Sequence, residues 1–500
     1  MGRVSTAMKR FAAALISAAL AFQGPALAAP KRDKALEAAM LAHITELASD
    51  AYEGREPGTD GEGKTLRYLA KQFFEIGLVS GTNNPRHAWF APVTLVAREP
   101  AAGGAVFARK GKRLLLPPGA ALVLTSGRRS LVENAPVLFV GKGDVLPPRA
   151  DLAGRVILLL DGGQENSERQ NALLKGGASA VLTVLDGERT LDNVTGRRQR
   201  SGYALASDQL GGDLEGFITR DGLDRLLAGT GQIAGQSTSA LVESAAKPEF
   251  TPRLLDLTAT LEATTRETRI NTHNLIGKLP GRKPDAGAIL LVAHWDHFGI
   301  CAEAPAEDLV CNGAVDNASG LAALIEIARR LSKGPQLDRD VIFLATTGEE
   351  LGLLGAHAFA ENPPLPLNKI IAAFNIDTIA LAQAGSPLAI VGTGMTTLDP
   401  VIARVAKAQK RKLVTGEAAN AYVRRQDGWA LLQHDVPTVM VSSAYADVTR
   451  VERFFEGDYH RPGDQLSRGI ELGGAAEDVA FHVALVRWFG DLKRVPVAPK

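Results

Sequence analysis

The chain has 500 residues, more than one hydrophobic core usually holds, so two domains or one domain with a large insertion are expected. Its 56 Lys plus Arg stand against 55 Asp plus Glu. That balance leaves no net field to draw in nucleic acid or an anionic membrane, and nucleic acid is set aside as a partner.

The chain opens with Arg3, Lys9 and Arg10, then an apolar stretch from Phe11 to Phe22, then Ala26-Leu27-Ala28. Residues 1–29 therefore read as a signal peptide cleaved near Ala28. A membrane-spanning helix would need roughly 20 apolar residues, and Gln23, Gly24 and Pro25 interrupt the run too early. No cysteine follows that run to carry a lipid. The mature chain is expected to be periplasmic or secreted, soluble and without a membrane anchor.

Residues 34–48 and 64–76 read as helices, the second with Leu66, Leu69, Ala70 and Phe73 at helical spacing before Gly77 ends it. "GREPGTDGEG" between them reads as a turn-rich loop. From 105 to 250 the texture changes to short β-like runs, "APVLFVG" and "GRVILLL", followed by "RQNALLKGGASAVLTVLD". This stretch is expected to be a smaller, β-rich inserted domain, with 30–104 and 251–500 forming the main one.

After "NTHNLIGKLPG" the pattern becomes apolar strand, loop, amphipathic helix, repeated, the mark of an α/β fold with a mostly parallel central sheet flanked by helices. The apolar runs are "AILLVAH", "DVIFLATT", "KIIAAFNID", "LAIVGTG" and "VPTVMVSS". A helix runs from Ala318 to near Leu331 on the stripe Leu321, Leu324, Ile325 and Ala328. Cys301 and Cys311, the only cysteines, favour a disulfide pinning one loop in an exported chain over two free thiols, and a zinc knuckle would need more ligands in close spacing.

In open α/β sheets, ligands sit beyond the carboxyl ends of the strands. Metal-ligand residue types fall at five such places. His294 follows "AILLVA", Asp316 lies in "GAVDNASG", Glu349 and Glu350 follow "DVIFLATTG", Asp377 ends "AAFNID", and His460 lies in "DYHRPGD". Each alone has a plainer explanation: Asp316 as a helix N-cap, the two glutamates as first-turn acids, His460 as a turn residue. Their convergence at one end of successive strand-helix units argues against that.

These motifs, in this order, resemble the zinc aminopeptidase family that includes aminopeptidase Y, bacterial leucyl aminopeptidases and glutamate carboxypeptidase II. The resemblance runs from 271 to 466 through "AHWDHFG", "NGAVDNASG", "ATTGEELGLLGA", "FNID" and "DYHRPGD". The N-terminal "ITELASDAYEGREPGTDGEGKTLRYLAKQFFEIGL" is similar too, and 105–250 is more weakly similar to the protease-associated domain inserted in many members.

The resemblance implies two zinc ions bridged by Asp316, with His294 and Asp377 completing the ligands of one and Glu350 and His460 those of the other. It implies Glu349 as general base, a cis peptide between Asp316 and Asn317, and peptide substrates cleaved at their N-terminal residue. Two departures stand out: Gly428 in "RRQDGW" lies where many members have the histidine of Ser-Asp-His, and Thr378 replaces the usual methionine after Asp377.

Within "AHWDHFG", strand alternation puts His294 and Asp296 on one face and turns His297 away, provided the extended backbone persists. Asp296 is then expected to accept a hydrogen bond from the His294 ring and orient it, a role the family also assigns, and His297 to be a wall or pocket residue. A carboxypeptidase or dipeptidase on the same scaffold is the near alternative, with Arg424 and Arg425 placed to clamp a terminal carboxylate or simply solvent-exposed. Glutaminyl cyclases share the fold but typically act with one zinc and lack the insertion. A non-catalytic binding protein, as in the transferrin receptor, would be expected to have lost several of these ligands.

Overall fold

The structure is a computed structural model, which describes residues 32–142, 146–161, 166–185, 189–194, 202–208, 212–228, 238–247 and 249–497. The signal-peptide reading of 1–29 lies outside these residues. Among those described, no helix is long and apolar enough to cross a membrane.

The main sheet is built on the predicted runs. Four strands, Thr438–Ser442, Ile370–Asn375, Ala288–His294 and Asp340–Thr346, lie side by side in that order and all parallel. Ala389–Val391 closes one edge antiparallel, and Arg253–Leu279 pairs antiparallel at the other. Every residue of Ala288–His294 is buried, because helices cover both faces. Leu291 faces the core made with helices Lys34–Leu47, Ser319–Ser332 and Leu472–Phe489, while Leu290 faces the core beneath Leu354–Glu361 and Asp427–Gln433.

Leu291 is fully buried in this central strand, so Leu291→Ala is expected to cost about 2–5 kcal/mol, read as a lowered urea midpoint. A midpoint equal to wild type would contradict the packing described.

The two N-terminal helices are Lys34–Leu47 and Asp60–Ile76, the second closed by Gly77 in the left-handed conformation. It starts four residues earlier than its apolar spacing indicates, inside the expected loop. Asp60 and Glu62 in its first turn favour the dipole there, so "DGEG" is helical despite its glycines.

Strands Phe90–Arg109 and Arg253–Leu279 form a long antiparallel ribbon that leaves the main sheet and continues into a second group of strands. There Arg129–Gly141, Val156–Leu160, Ala180–Val184 and Leu214–Ile218 run parallel, with Ala121–Thr125 antiparallel at the edge. Their core is separate, built on Val137, Phe139, Leu158, Leu182 and Ile218. Helices Asn166–Lys175, Arg220–Leu227 and Thr238–Ala245 lie in this region, so it carries more helix than its β-like runs indicate.

Candidate active site

Parallel pairing brings the candidate residues together. His294 is opposite Thr346, and Val292 is opposite Asn375. Glu349 and Glu350, three and four residues past Thr346, and Asp377, two past Asn375, therefore emerge at the same sheet edge as His294. Asp316 and His460 arrive there from loops. The Asp316 loop is a single π turn, Ala314–Ala318, with a cis Asp316–Asn317 peptide.

The resulting cluster is buried and compact. His294 Nε2 lies 3.1 Å from Asp316 Oδ1, 3.5 Å from Asp377 Oδ1 and 4.0 Å from Glu349 Oε2. His460 Nε2 lies 3.3 Å from Asp316 Oδ2 and 2.9 Å from Glu350 Oε2. Asp316 thus turns one carboxylate oxygen to each imidazole. Both Nε2 atoms are buried without a properly formed hydrogen bond.

His294 Nδ1 is 3.1 Å from the main-chain oxygen of Asp296. A carbonyl only accepts, so Nδ1 carries the proton in the neutral ring and Nε2 presents its lone pair to the carboxylates. Acceptors then face acceptors, which a proton or a cation must relieve. Burial lowers the His294 pKa, but Glu349, Asp316 and Asp377 outweigh it and hold it well above the ordinary value. His294, Asp316 and Glu350 bring ligand atoms within 4.8 Å of one another, a donor set for a divalent ion such as zinc, and His460 Nε2 adjoins Asp316 and Glu350. The same spacing also groups Glu349 with His294 and Asp377.

Burial pushes the Glu349 carboxyl well above the usual range; His294 opposes this, and Glu350, Asp377 and Asp427 add to it. A raised carboxylate is a stronger base than an ordinary one.

Two expectations are corrected. The regular strand stops at His294, so alternation no longer governs 295–297. The Asp296 carboxylate is 3.8 Å from His294 Nδ1, too far to orient it; the Asp296 main-chain oxygen accepts that bond instead. The carboxylate accepts the main-chain N–H of Glu349 at 3.1 Å and of Glu350 at 3.3 Å, and so positions the two glutamates. Nor does His297 point away: it is buried in the pocket, and its Nδ1 lies 2.6 Å from Glu350 Oε1.

Three residues escaped sequence reasoning. Asp464 accepts the N–H groups of Val315 and Asp316 at 2.8 and 3.0 Å, fastening the Asp316 turn; it ends the quoted "DYHRPGD", the one available signal. Asp427, beside Gly428, is buried and accepts the Thr346 hydroxyl; burial pushes its carboxyl up to about 7. Arg55 is fully buried, and its guanidinium donates only to main-chain oxygens: Trp295 at 2.9 Å, Leu47 at 2.9 Å, Asn312 at 2.6 Å and Gly313 at 3.0 Å. It ties the His294 loop to the Asp316 loop. Burial lowers its pKa to about 10, with Asp316, Asp464, Asp296 and Glu350 opposing. Gly313 has φ +57°, and a Cβ there would meet Arg55 Nη2 at 2.7 Å, so only glycine lets the two loops close on the arginine.

Cys301 and Cys311 form a disulfide with Cα atoms 5.7 Å apart. It joins the short ribbon Gly299–Ile300 and Val310–Cys311, between the His297 and Asp316 segments.

All six metal-ligand and base candidates lie inside residues 274–483, which match the family model described as "Peptidase family M28". Residues 274–483 are thus similar to that family. Curated relatives of the chain include the alkaline phosphatase isozyme conversion protein of Escherichia coli strain K12, 35% identical over 102 residues, covering 19% of this chain and 29% of that protein. Aminopeptidase YwaD of Bacillus subtilis strain 168 is 25% identical over 267 residues, 52% of this chain and 56% of the relative. The chain thus spans little more than half of either relative at most. Among solved structures, the aminopeptidase from Aneurinibacillus sp. strain AM-1 has a similar fold over 93% of this chain and 96% of that one, with a TM-score of 0.55 and 20% identity. The α/β fold is therefore shared beyond the M28 segment itself.

Proposed function

We propose that the chain is an exported di-zinc aminopeptidase that hydrolyses the N-terminal residue from peptides. The observation that carries this reading is the placement of Asp316 between His294 and His460, one carboxylate oxygen toward each unpartnered Nε2. Asp316 would bridge two ions, with His294 and Asp377 holding one and Glu350 and His460 the other. Zinc held there supplies Lewis acidity, polarising the scissile carbonyl and making water easier to deprotonate.

The chain's own residues do the rest. Glu349 takes a proton from the attacking water as its oxygen adds to the carbonyl carbon, then passes that proton to the departing amine as the C–N bond breaks. Asp296 holds the Glu349 backbone in place for this transfer. His297 fixes Glu350 through Nδ1. Residues 105–250 are proposed as an inserted, protease-associated-like domain, and 1–29 as the export signal that places the enzyme in the periplasm or outside the cell.

The test is metal content with a matched substrate pair. Purified protein is expected to hold about two zinc ions, to lose activity to a chelator and regain it with zinc, and to cleave a peptide with a free N-terminus but not its N-acetylated form. Equal cleavage of both forms would rule out the aminopeptidase assignment.

A further inference from the structure

Arg425 ends the one-turn-type segment Ala418–Arg425 and is exposed. Its guanidinium carbon lies 4.7 Å from the Phe455 ring centre and 5.5 Å from that of Tyr459. The Phe455 and Tyr459 rings are themselves 4.4 Å apart. Tyr459 is stacked on the His460 ring at 3.5 Å, and the His460 side chain is 31% exposed. Tyr422 extends the same aromatic wall, 5.4 Å from Phe455 and 5.5 Å from Tyr445. Arg425 is thus one aromatic layer from the acidic cluster, on its solvent side.

Arg98 and Arg411 are bound to Glu267 and Asp478 at 3.1 and 3.3 Å, whereas Arg425 makes no ion pair with any described carboxylate and meets only ring faces. Arg424 turns to Trp429 instead, 5.2 Å from its ring centre. Ring faces hold a guanidinium flat and leave its in-plane N–H donors open, the geometry that receives a carboxylate through two parallel bonds.

We propose that Arg425 is a subsite for a substrate carboxylate, so that the enzyme selects peptides carrying a negative charge next to the cleaved bond. This rests on the peptidase reading above and names its substrate class. The carboxylate has two chemical sources: an acidic side chain on the residue removed, or the C-terminus of a dipeptide.

Two matched pairs separate them in the zinc-loaded enzyme: glutamyl- against glutaminyl-4-nitroanilide, and Leu-Gly against Leu-Gly amide. At least one pair is expected to favour the carboxylate member by tenfold or more in kcat/KM, and the pair that does so identifies the source. Arg425→Gln is expected to collapse that ratio to within about twofold, and Arg425→Glu to invert it, whatever either does to absolute turnover. Ratios near one for both pairs in the wild type, or a preference that survives Arg425→Glu, would overturn the subsite while leaving the peptidase reading standing. In the Glu349→Ala variant, calorimetric binding of glutamic acid α-amide against glutamine α-amide, and of Leu-Gly against its amide, reads the same contact without turnover. Absence of hydrolysis of all four compounds would count against the peptidase reading, and the binding ratio would still decide the subsite.

Discussion

Glu349→Ala is expected to lower kcat by about 10²- to 10⁴-fold, the range that a positioned general base contributes, without loss of bound zinc. The expectation follows from where the side chain sits. Glu349 is buried at the rim of the cluster, 4.0 Å from His294 Nε2, while the closer contacts to the two imidazoles are made by Asp316, Asp377 and Glu350. Its backbone N–H is held by Asp296 whatever its side chain, so the alanine variant keeps the neighbouring Glu350 in place. Steady-state kinetics with parallel metal analysis check this. Turnover within a few-fold of wild type would remove Glu349 as the base, and loss of one zinc would recast it as a ligand.

Arg55→Ala is expected to cost about 3–5 kcal/mol of stability, because it strips the guanidinium donors from the buried carbonyls of Leu47, Trp295 and Asn312 and leaves Gly313 with the Ala318 N–H alone. It also removes a buried positive charge from beside Asp296, Asp316, Glu350 and Asp464. The same change should therefore weaken zinc binding by loosening the loops on either side of the cluster. Arg55→Lys is expected to recover little, since one ammonium cannot reach carbonyls that a planar fork spans. Urea denaturation of the metal-free protein separates the packing effect from the metal effect. A midpoint shift worth less than about 0.5 kcal/mol, the range of an ordinary surface substitution, would refute the proposed clasp.

The strands of the main sheet were legible because burial on both faces produces unbroken apolar runs, and "AILLVAH" corresponds residue for residue to Ala288–His294. Helix Ser319–Ser332 was legible for the complementary reason, a single apolar stripe. Where local rules compete, the reading was less sharp. Glycine and aspartate in "DGEG" signal a turn, yet Asp60 and Glu62 in the first turn favour the helix dipole, and the helix wins. Likewise the β-like runs of 105–250 said little about the helices packed between them.

By itself the sequence determined which residues could meet: in a parallel sheet every strand ends on the same edge, so polar residues placed just past successive apolar runs must converge. His294, Glu349, Glu350 and Asp377 followed from that rule, whereas Asp316 and His460, on loops, were indicated by the motifs that resemble the zinc aminopeptidase family. Only the tertiary structure decided what their neighbours do. The strand ends at His294 rather than continuing, so Asp296 turns its carboxylate to the glutamates and His297 turns inward to Glu350. Arg55 bonds to partners 240 to 258 residues away, and Arg425 owes its place to rings some 30 residues further on. Such partners leave no periodic trace in the chain, because they are chosen by where separate loops meet in space and by the need of each buried polar group for a partner there.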